Sequence, residues 1–316
     1  MTALLRRPRA VFLERPVHRQ GLVAMLGAAV LWSTGGLFIK AVSLDAFGVT
    51  MWRSLLAGTA IAVIMGVRPF APWREGWITW AAAVAYAVML LLFVSATKLT
   101  TAANAIFLQY TAPLYVLVLS AVFLKERATR LDVVTVAVAL GGMALFFVGE
   151  LEPSDLGGNI CAITSGIAFA IFLVLLRLPG CSAGARPRAM VLGNALLVVV
   201  TFVVNVVRTE SGAFTPGPAD ILGLLWLGIV QIGLAYVLFT FGIAHIQALE
   251  ATLIGMMEPV LNPVWVFIFL GERPGPWAIL GGAVIIAAVT WRTVLTERRR
   301  EDVLGVEYGE AAVVEV

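Results

Sequence analysis

Charge is scarce in this chain: 13% of its 316 residues are Asp, Glu, Lys or Arg, where a soluble protein carries about 25%. Beside a hydrophobic content of 60%, that scarcity excludes a water-soluble globular protein. Histidine is nearly absent. With only His18 and His245, an HExxH motif cannot be written and no metal site is indicated. Cysteine is equally rare, and Cys161 and Cys181 lie 20 positions apart along one apolar segment. As a helix that segment spans roughly 30 Å, which rules out a disulfide between them. Nothing in the composition calls for a cofactor. The arginines are spread over loops and form no basic patch, so nucleic acid is not a partner the sequence supports.

What the chain has in abundance is apolar sequence of membrane-spanning length. Spans are predicted near 21–39, 47–67, 76–97, 102–124, 131–149, 157–177, 189–207, 220–244, 251–270 and 276–294. They should be helices, because a helix satisfies its own backbone groups in lipid and these runs lack the alternation of barrel strands. The expected fold class is therefore an all-α polytopic membrane protein with ten transmembrane helices. Little chain is left for a soluble catalytic domain, and the aspartates stay outside the span cores or at their ends, which leaves an intramembrane enzyme unsupported. A channel would favour rings of charge or carbonyl filters, and neither is visible. Of the 22 Lys and Arg residues, an inside N-terminus puts 17 on the inner side and 4 on the outer, with Arg53 within a span. That bias places both termini in the cytoplasm, the expected location being a bacterial cytoplasmic (inner) membrane. Residues 1–20 then form a basic cytoplasmic segment ahead of a retained first span, and 295–316 a disordered cytoplasmic tail carrying Arg298, Arg299 and Arg300.

The chain also repeats itself. A shift of 146 aligns Ala102, Ala105, Pro113, Val118, Phe123, Leu124, Glu126 and Arg127 with Ala248, Ala251, Pro259, Val264, Phe269, Leu270, Glu272 and Arg273, 8 identities in 26 positions. A proline 13 residues before the glutamate of a Leu-x-Glu-Arg end is harder to obtain by chance than apolar matches. A shift of 137 pairs Gly21, Trp32 and Lys40 with Gly158, Phe169 and Arg177, consistent with units of five spans at 21–149 and 157–294. An odd number of spans per unit makes the second unit enter from the opposite face. Such inverted repeats are typical of secondary transporters, whose site lies near the midplane between the halves.

Leu31-Trp32-Ser33-Thr34, Met51-Trp52-Arg53, Pro113 with Leu124-Lys125-Glu126-Arg127, and Glu258-Pro259 with Leu270-Gly271-Glu272-Arg273 together resemble the EamA family of the drug/metabolite transporter superfamily. The resemblance extends over about 21–294. It implies a basket-like bundle, export of small metabolites or amino acids, and a central cavity formed largely by spans 3, 4, 8 and 9. One departure is Lys125, where the family often has glycine.

Glu258 is the leading site candidate, the one carboxylate well inside the assigned spans. An acid at that depth costs about 2.5–3.5 kcal/mol on the insertion scale unless it meets water or a partner, so it should face a cavity. Gly255, Glu258, Asn262 and Trp265 share one helical stripe, where Glu258 either meets a substrate amino group, takes up a proton during coupling, or bonds a neighbouring helix as a structural acid. Pro259 and Pro263 break the hydrogen-bond ladder of that helix, and Pro113 should bend span 4 similarly. On span 4, Asn104, Thr111 and Tyr115 share a face, with Gln109 and Tyr110 beside it. Arg53 lies six residues inside span 2 from Phe47; it either holds a substrate carboxylate or locks span 2 through helix-end carbonyls or Asp45.

Tyr86 on span 3 and Tyr236 on span 8 belong to aromatic and hydroxyl stripes suited to an amphipathic metabolite, whereas Trp77, Trp80 and Trp226 read as membrane-interface residues. Trp32, Ser33 and Thr34 can line the first helix's inner face, or the hydroxyls can bond back to their own helix. Glu126 and Glu272 read as stabilisers of the helices that follow them. The partners indicated are a small-molecule substrate and the lipid bilayer, with a second copy of the chain as a further candidate through the small-residue faces at Gly58, Ala62 and Gly66 and at Ala278 and Gly282.

Overall fold

The computed structural model describes residues 7–67, 76–100, 102–126, 128–146, 148, 156–209, 211–270 and 275–313, without the side chains of 7–16, 102–103, 146, 211, 262–263, 266–267, 269–270 and 297–313. Among the described residues every regular element is helical. The chain runs through α1 (Arg7–Trp32), α2 (Gly35–Ala41), α3 (Ala46–Ile64), α4 (Trp77–Leu99), α5 (Ala102–Gln109), α6 (Ala112–Leu119) and α7 (Arg130–Phe146). It continues through α8 (Leu156–Arg177), α9 (Ala185–Val207), α10 (Pro218–Leu225), α11 (Ala235–His245), α12 (Ala248–Gly255), α13 (Met257–Leu270) and α14 (Pro276–Val313). Short π-helical segments follow α6 (Ser120–Leu124) and join α10 to α11 (Trp226–Leu234).

Eight stretches among the described residues are long and apolar enough to cross a membrane. Of the ten runs expected, 131–149 is described as the 17-residue α7, and 251–270 falls into α12 and α13. The tail differs from expectation too: α14 continues as helix to Val313, and no proline follows Pro276 to stop it. Large apolar side chains such as Val63, Val207 and Leu222 are exposed on the outer faces, as lipid contact requires.

Three of the long helices are interrupted, each for a local reason. Between α1 and α2, Ser33 Oγ and Thr34 Oγ1 donate to the carbonyls of Val30 and Leu31, and the Gly35-Gly36 pair follows. Between α5 and α6 the ladder turns at Tyr110 and Thr111, two residues ahead of Pro113. Between α12 and α13 it turns at Met256, and Pro259 sits in the first turn of the new helix, where its missing N–H has no intrahelical partner to lose. The π-helical end at Ser120–Leu124 closes on Lys125 at φ 56°. That left-handed conformation is the one glycine adopts without penalty, so the lysine carries a strain of about 1–2 kcal/mol.

The most extensive packings pair α4 with α8, α3 with α9, α7 with α14 and α1 with α11. At one end of the bundle Lys40 Nζ donates to Thr100 O (2.9 Å), Lys98 Nζ to Val42 O (2.8 Å), Ser43 to Asp220 (2.7 Å) and Arg208 to Asp45 (2.8 Å). At the other, Arg177 donates to Glu126 at 3.0 Å and to the carbonyls of Ile243 and Ile246. Glu126 therefore ties to α8, while Asp132 caps α7 by accepting from Thr129 N at 2.9 Å, the task the sequence had suggested for Glu126. Two pairs of helices approach without room for a side chain: a Cβ at Gly166 of α8 would lie 2.7 Å from Gln109 O of α5, and one at Gly193 of α9 2.6 Å from the Tyr86 ring of α4.

Cys181 lies between α8 and α9, where burial pushes its thiol up. Neither cysteine forms a disulfide.

Candidate functional site

The helix interruptions face one cavity. It comprises about 400 Å³ of non-atom space, open solvent included. Trp32, the last residue of α1, lines it, as do Tyr110 at the α5–α6 turn, Glu258 just past the α12–α13 turn, and Gln231 and Ile232 in the π-helical segment. Arg53 from α3, Gln109 from α5, Phe169 from α8 and Tyr236 from α11 complete the polar and aromatic wall, with Met89, Leu90 and Phe93 of α4 opposite. A π-helix carries one extra residue per turn and is frequent at functional sites. Here Gln231 and Ile232 of the segment line the cavity, and Tyr236 follows in the first turn of α11.

The cavity holds one acid and one base, and they do not pair with each other. Tyr110 donates its hydroxyl to Glu258 Oε2 at 2.5 Å. Glu258 is also in the first turn of α13, where the helix dipole favours negative charge. Arg53, 3% exposed, donates Nη2 to Gln231 Oε1 at 2.7 Å, and Gln231 Nε2 donates to Trp32 O at 3.2 Å. The Trp32 carbonyl is available because α1 ends there. Arg53 Nε and Nη1 are buried without a hydrogen-bond partner. Among the described residues no group of three or more His, Cys, Asp or Glu could hold a metal ion.

Six residues named from the sequence therefore meet at the cavity: Trp32, Arg53, Gln109, Tyr110, Tyr236 and Glu258. Others are placed elsewhere. Tyr86 is fully buried behind Tyr236, with ring centroids 5.0 Å apart, and its hydroxyl accepts from Asn194 Nδ2 at 3.1 Å. Asn104 is buried and donates to Thr100 Oγ1 at 3.1 Å, while Thr111 donates to Leu108 O at 2.7 Å and lies 3.4 Å from the Tyr115 hydroxyl. None of those three lines the cavity. Gly255 ends α12 against the Tyr110 ring, and Trp265 donates Nε1 to Ser33 Oγ at 2.7 Å, tying α13 to the α1 interruption. Pro113 and Pro259 are buried beside their helix turns. Asn262 and Pro263 lie on the α13 backbone, with side chains outside those described. Gln231 escaped sequence reasoning, although an amide in mid-span is itself a signal, since its donors and acceptor need partners there.

These features define a multi-pass integral membrane protein with broken helices around a central polar cavity. The model of the EamA-like transporter family matches residues 19–148 and again 156–293, and the chain belongs to that family. A probable terminal-alkyne amino-acid exporter of Streptantibioticus cattleyicolor is 26% identical over 291 residues, 88% of this chain and 95% of that protein. The threonine/homoserine exporter RhtA of Salmonella typhimurium is 30% identical over 209 residues, 64% of this chain and 66% of its own. An uncharacterized transporter of Archaeoglobus fulgidus is 27% identical over 87% of this chain and 97% of its own. A solved structure at 19% identity superposes with a TM-score of 0.73 over 88% of this chain and 98% of that one, a likeness of fold.

Proposed function

We propose that the protein is a secondary transporter that exports small metabolites such as amino acids by alternating access, from the cytoplasm across a bacterial inner membrane. The observation that carries this reading is the convergence of three helix interruptions and a π-helical segment on one cavity holding an acid and a base. Broken helices place backbone and side-chain polar groups at membrane depth only where they line such a site. Glu258 meets a substrate ammonium or a proton. The turns at Tyr110 and Met256 let half-helices pivot while their distal halves stay packed.

The reading includes ten spans in two inverted units, 21–149 and 157–294. In support, α3 begins and α9 ends at the end of the bundle that holds the Arg208–Asp45 bond, so counterparts under the repeat run in opposite directions. The packing pairs also interchange under it: α1 with α11 becomes α8 with α4, while α3 with α9 and α7 with α14 map onto themselves. Two related halves can exchange conformations, closing one end of the cavity as the other opens. The Arg177–Glu126 bond and the Asp220–Ser43 bond lie at those opposite ends.

Liposomes containing the purified protein and loaded with L-homoserine or L-threonine should accumulate the labelled amino acid from outside in a saturable counterflow. Flux that rises linearly with concentration, or none across a panel of amino acids, overturns the carrier reading. For orientation, a cysteine placed at Arg299 in a cysteine-free background should resist an impermeant thiol reagent in intact cells, while one at Glu152 reacts. The reverse labelling overturns cytoplasmic termini.

A further inference from the structure

We propose that the cavity contains a carboxylate-binding subsite on the Arg53 guanidinium, with Gln231 as its positioning residue. The inference rests on reading this cavity as the transport site and names one chemical requirement of its substrate. Arg53 is 97% buried by the 3% exposure of its surface, yet only Nη2 is bonded, to Gln231 Oε1 at 2.7 Å. Nη2 carries two hydrogens and Gln231 Oε1 takes one. One complete edge of the planar fork, Nη2 with either Nε or Nη1, is thus left for an acceptor, and Nε and Nη1 have no hydrogen-bond partner. A two-oxygen carboxylate matches that edge with two parallel hydrogen bonds.

The fork is held in place from behind. Gln231 Nε2 donates to Trp32 O at 3.2 Å, which fixes the amide with its oxygen toward Arg53. Gly35 leaves space for this amide, since a Cβ there would lie 2.5 Å from Gln231 Nε2. The acid in the same cavity makes no direct contact with Arg53, and its Oε2 accepts from the Tyr110 hydroxyl. A ligand's carboxylate supplies the missing acceptor. Its body meets Phe93, Phe169 and Tyr236, so the class is a small carboxylate with an apolar body, its amino group, where present, directed to Glu258.

The test uses the full-length protein and three probes of one shape: L-norvaline, its neutral-headed amide L-norvalinamide, and pentanoate, which lacks the amine. Thermal melting in detergent reads binding, and counterflow reads transport. Norvaline and pentanoate should stabilise the wild type, with norvalinamide about 10- to 100-fold weaker. Arg53→Lys keeps the charge but not the fork, and Gln231→Leu removes its positioning. Each should weaken norvaline by about 10-fold or more and norvalinamide by clearly less, a change in selectivity that a merely structural role would not produce. Equal binding of norvaline and norvalinamide overturns the subsite, as does failure of both carboxylates to bind. Carboxylate binding without counterflow leaves the subsite standing and overturns the transport reading instead. Should either variant prove too unstable to purify, the wild-type comparison of acid and amide decides alone.

Discussion

Glu258→Gln should insert into the membrane and melt close to the wild type, yet transport about 10- to 100-fold more slowly and with a flattened pH profile, since a hydrogen bond to a charged group is worth about 1.5–3 kcal/mol. The substitution keeps volume and the partner for the Tyr110 hydroxyl, 2.5 Å away in the native protein. It removes charge and titration together. In a partly hydrated cavity, desolvation favours the neutral acid and an arriving ammonium favours the carboxylate, so proton occupancy can differ between empty and loaded states. That difference links flux to pH, and glutamine abolishes it. Counterflow measured from pH 5.5 to 8.5 separates the alternatives. A variant with unchanged affinity, rate and pH profile would identify Glu258 as a structural acid and move the binding role to the aromatic wall of Phe93, Phe169 and Tyr236.

How much of this arrangement the sequence discloses depends on how local its cause is. Hydrocarbon-length apolar runs predict the helices because burying them in lipid needs no knowledge of neighbours. Pro113 and Pro259 advertise helix breaks by their missing N–H groups, and the turns fall within three residues of each. Arg53 and Glu258 stand out because a charge at span depth must be explained. The break at Ser33 and Thr34 has no proline, and arises from two hydroxyls bonding back along α1. Less legible still is the π-helical segment, which depends on Gly228 and Gly233 packing against α3. Gln231 acquires its partners only once that segment meets Arg53 and Trp32, which lie 178 and 199 residues away in sequence. Tyr86 shows the converse failure: its stripe faces inward, but Asn194 and Tyr236 enclose it.

Arg292→Leu should destabilise the protein by about 3–5 kcal/mol, the cost of leaving buried charges without their partner. Counted from the sequence, Arg292 is one of many inner-side positive charges. In the fold it is 2% exposed and joins three helices: Nε donates to Asp132 Oδ1 at 2.9 Å, Nη2 to Gln247 Oε1 at 3.3 Å, and Nη1 lies 3.7 Å from Glu250 Oε1. Glu250, also 2% exposed, has His18 Nε2 at 3.9 Å on its other side. His18, expected in a basic tail, is thus part of the first span's buried end. Removing the arginine leaves two carboxylates in one buried cluster, whereas Glu250→Gln leaves Arg292 bonded to Asp132 and should cost less. The double variant should therefore lose at least about 1 kcal/mol less than the two single losses added, the sign of a shared interaction. Melting of the purified variants checks this, and additive losses or a wild-type midpoint for Arg292→Leu would rule it out. The cluster anchors α12, whose far end leads into the turn at Met256 and Glu258. Loosening that anchor should therefore reach the cavity as well as the melting curve, through the half-helix that must stay fixed while its continuation moves.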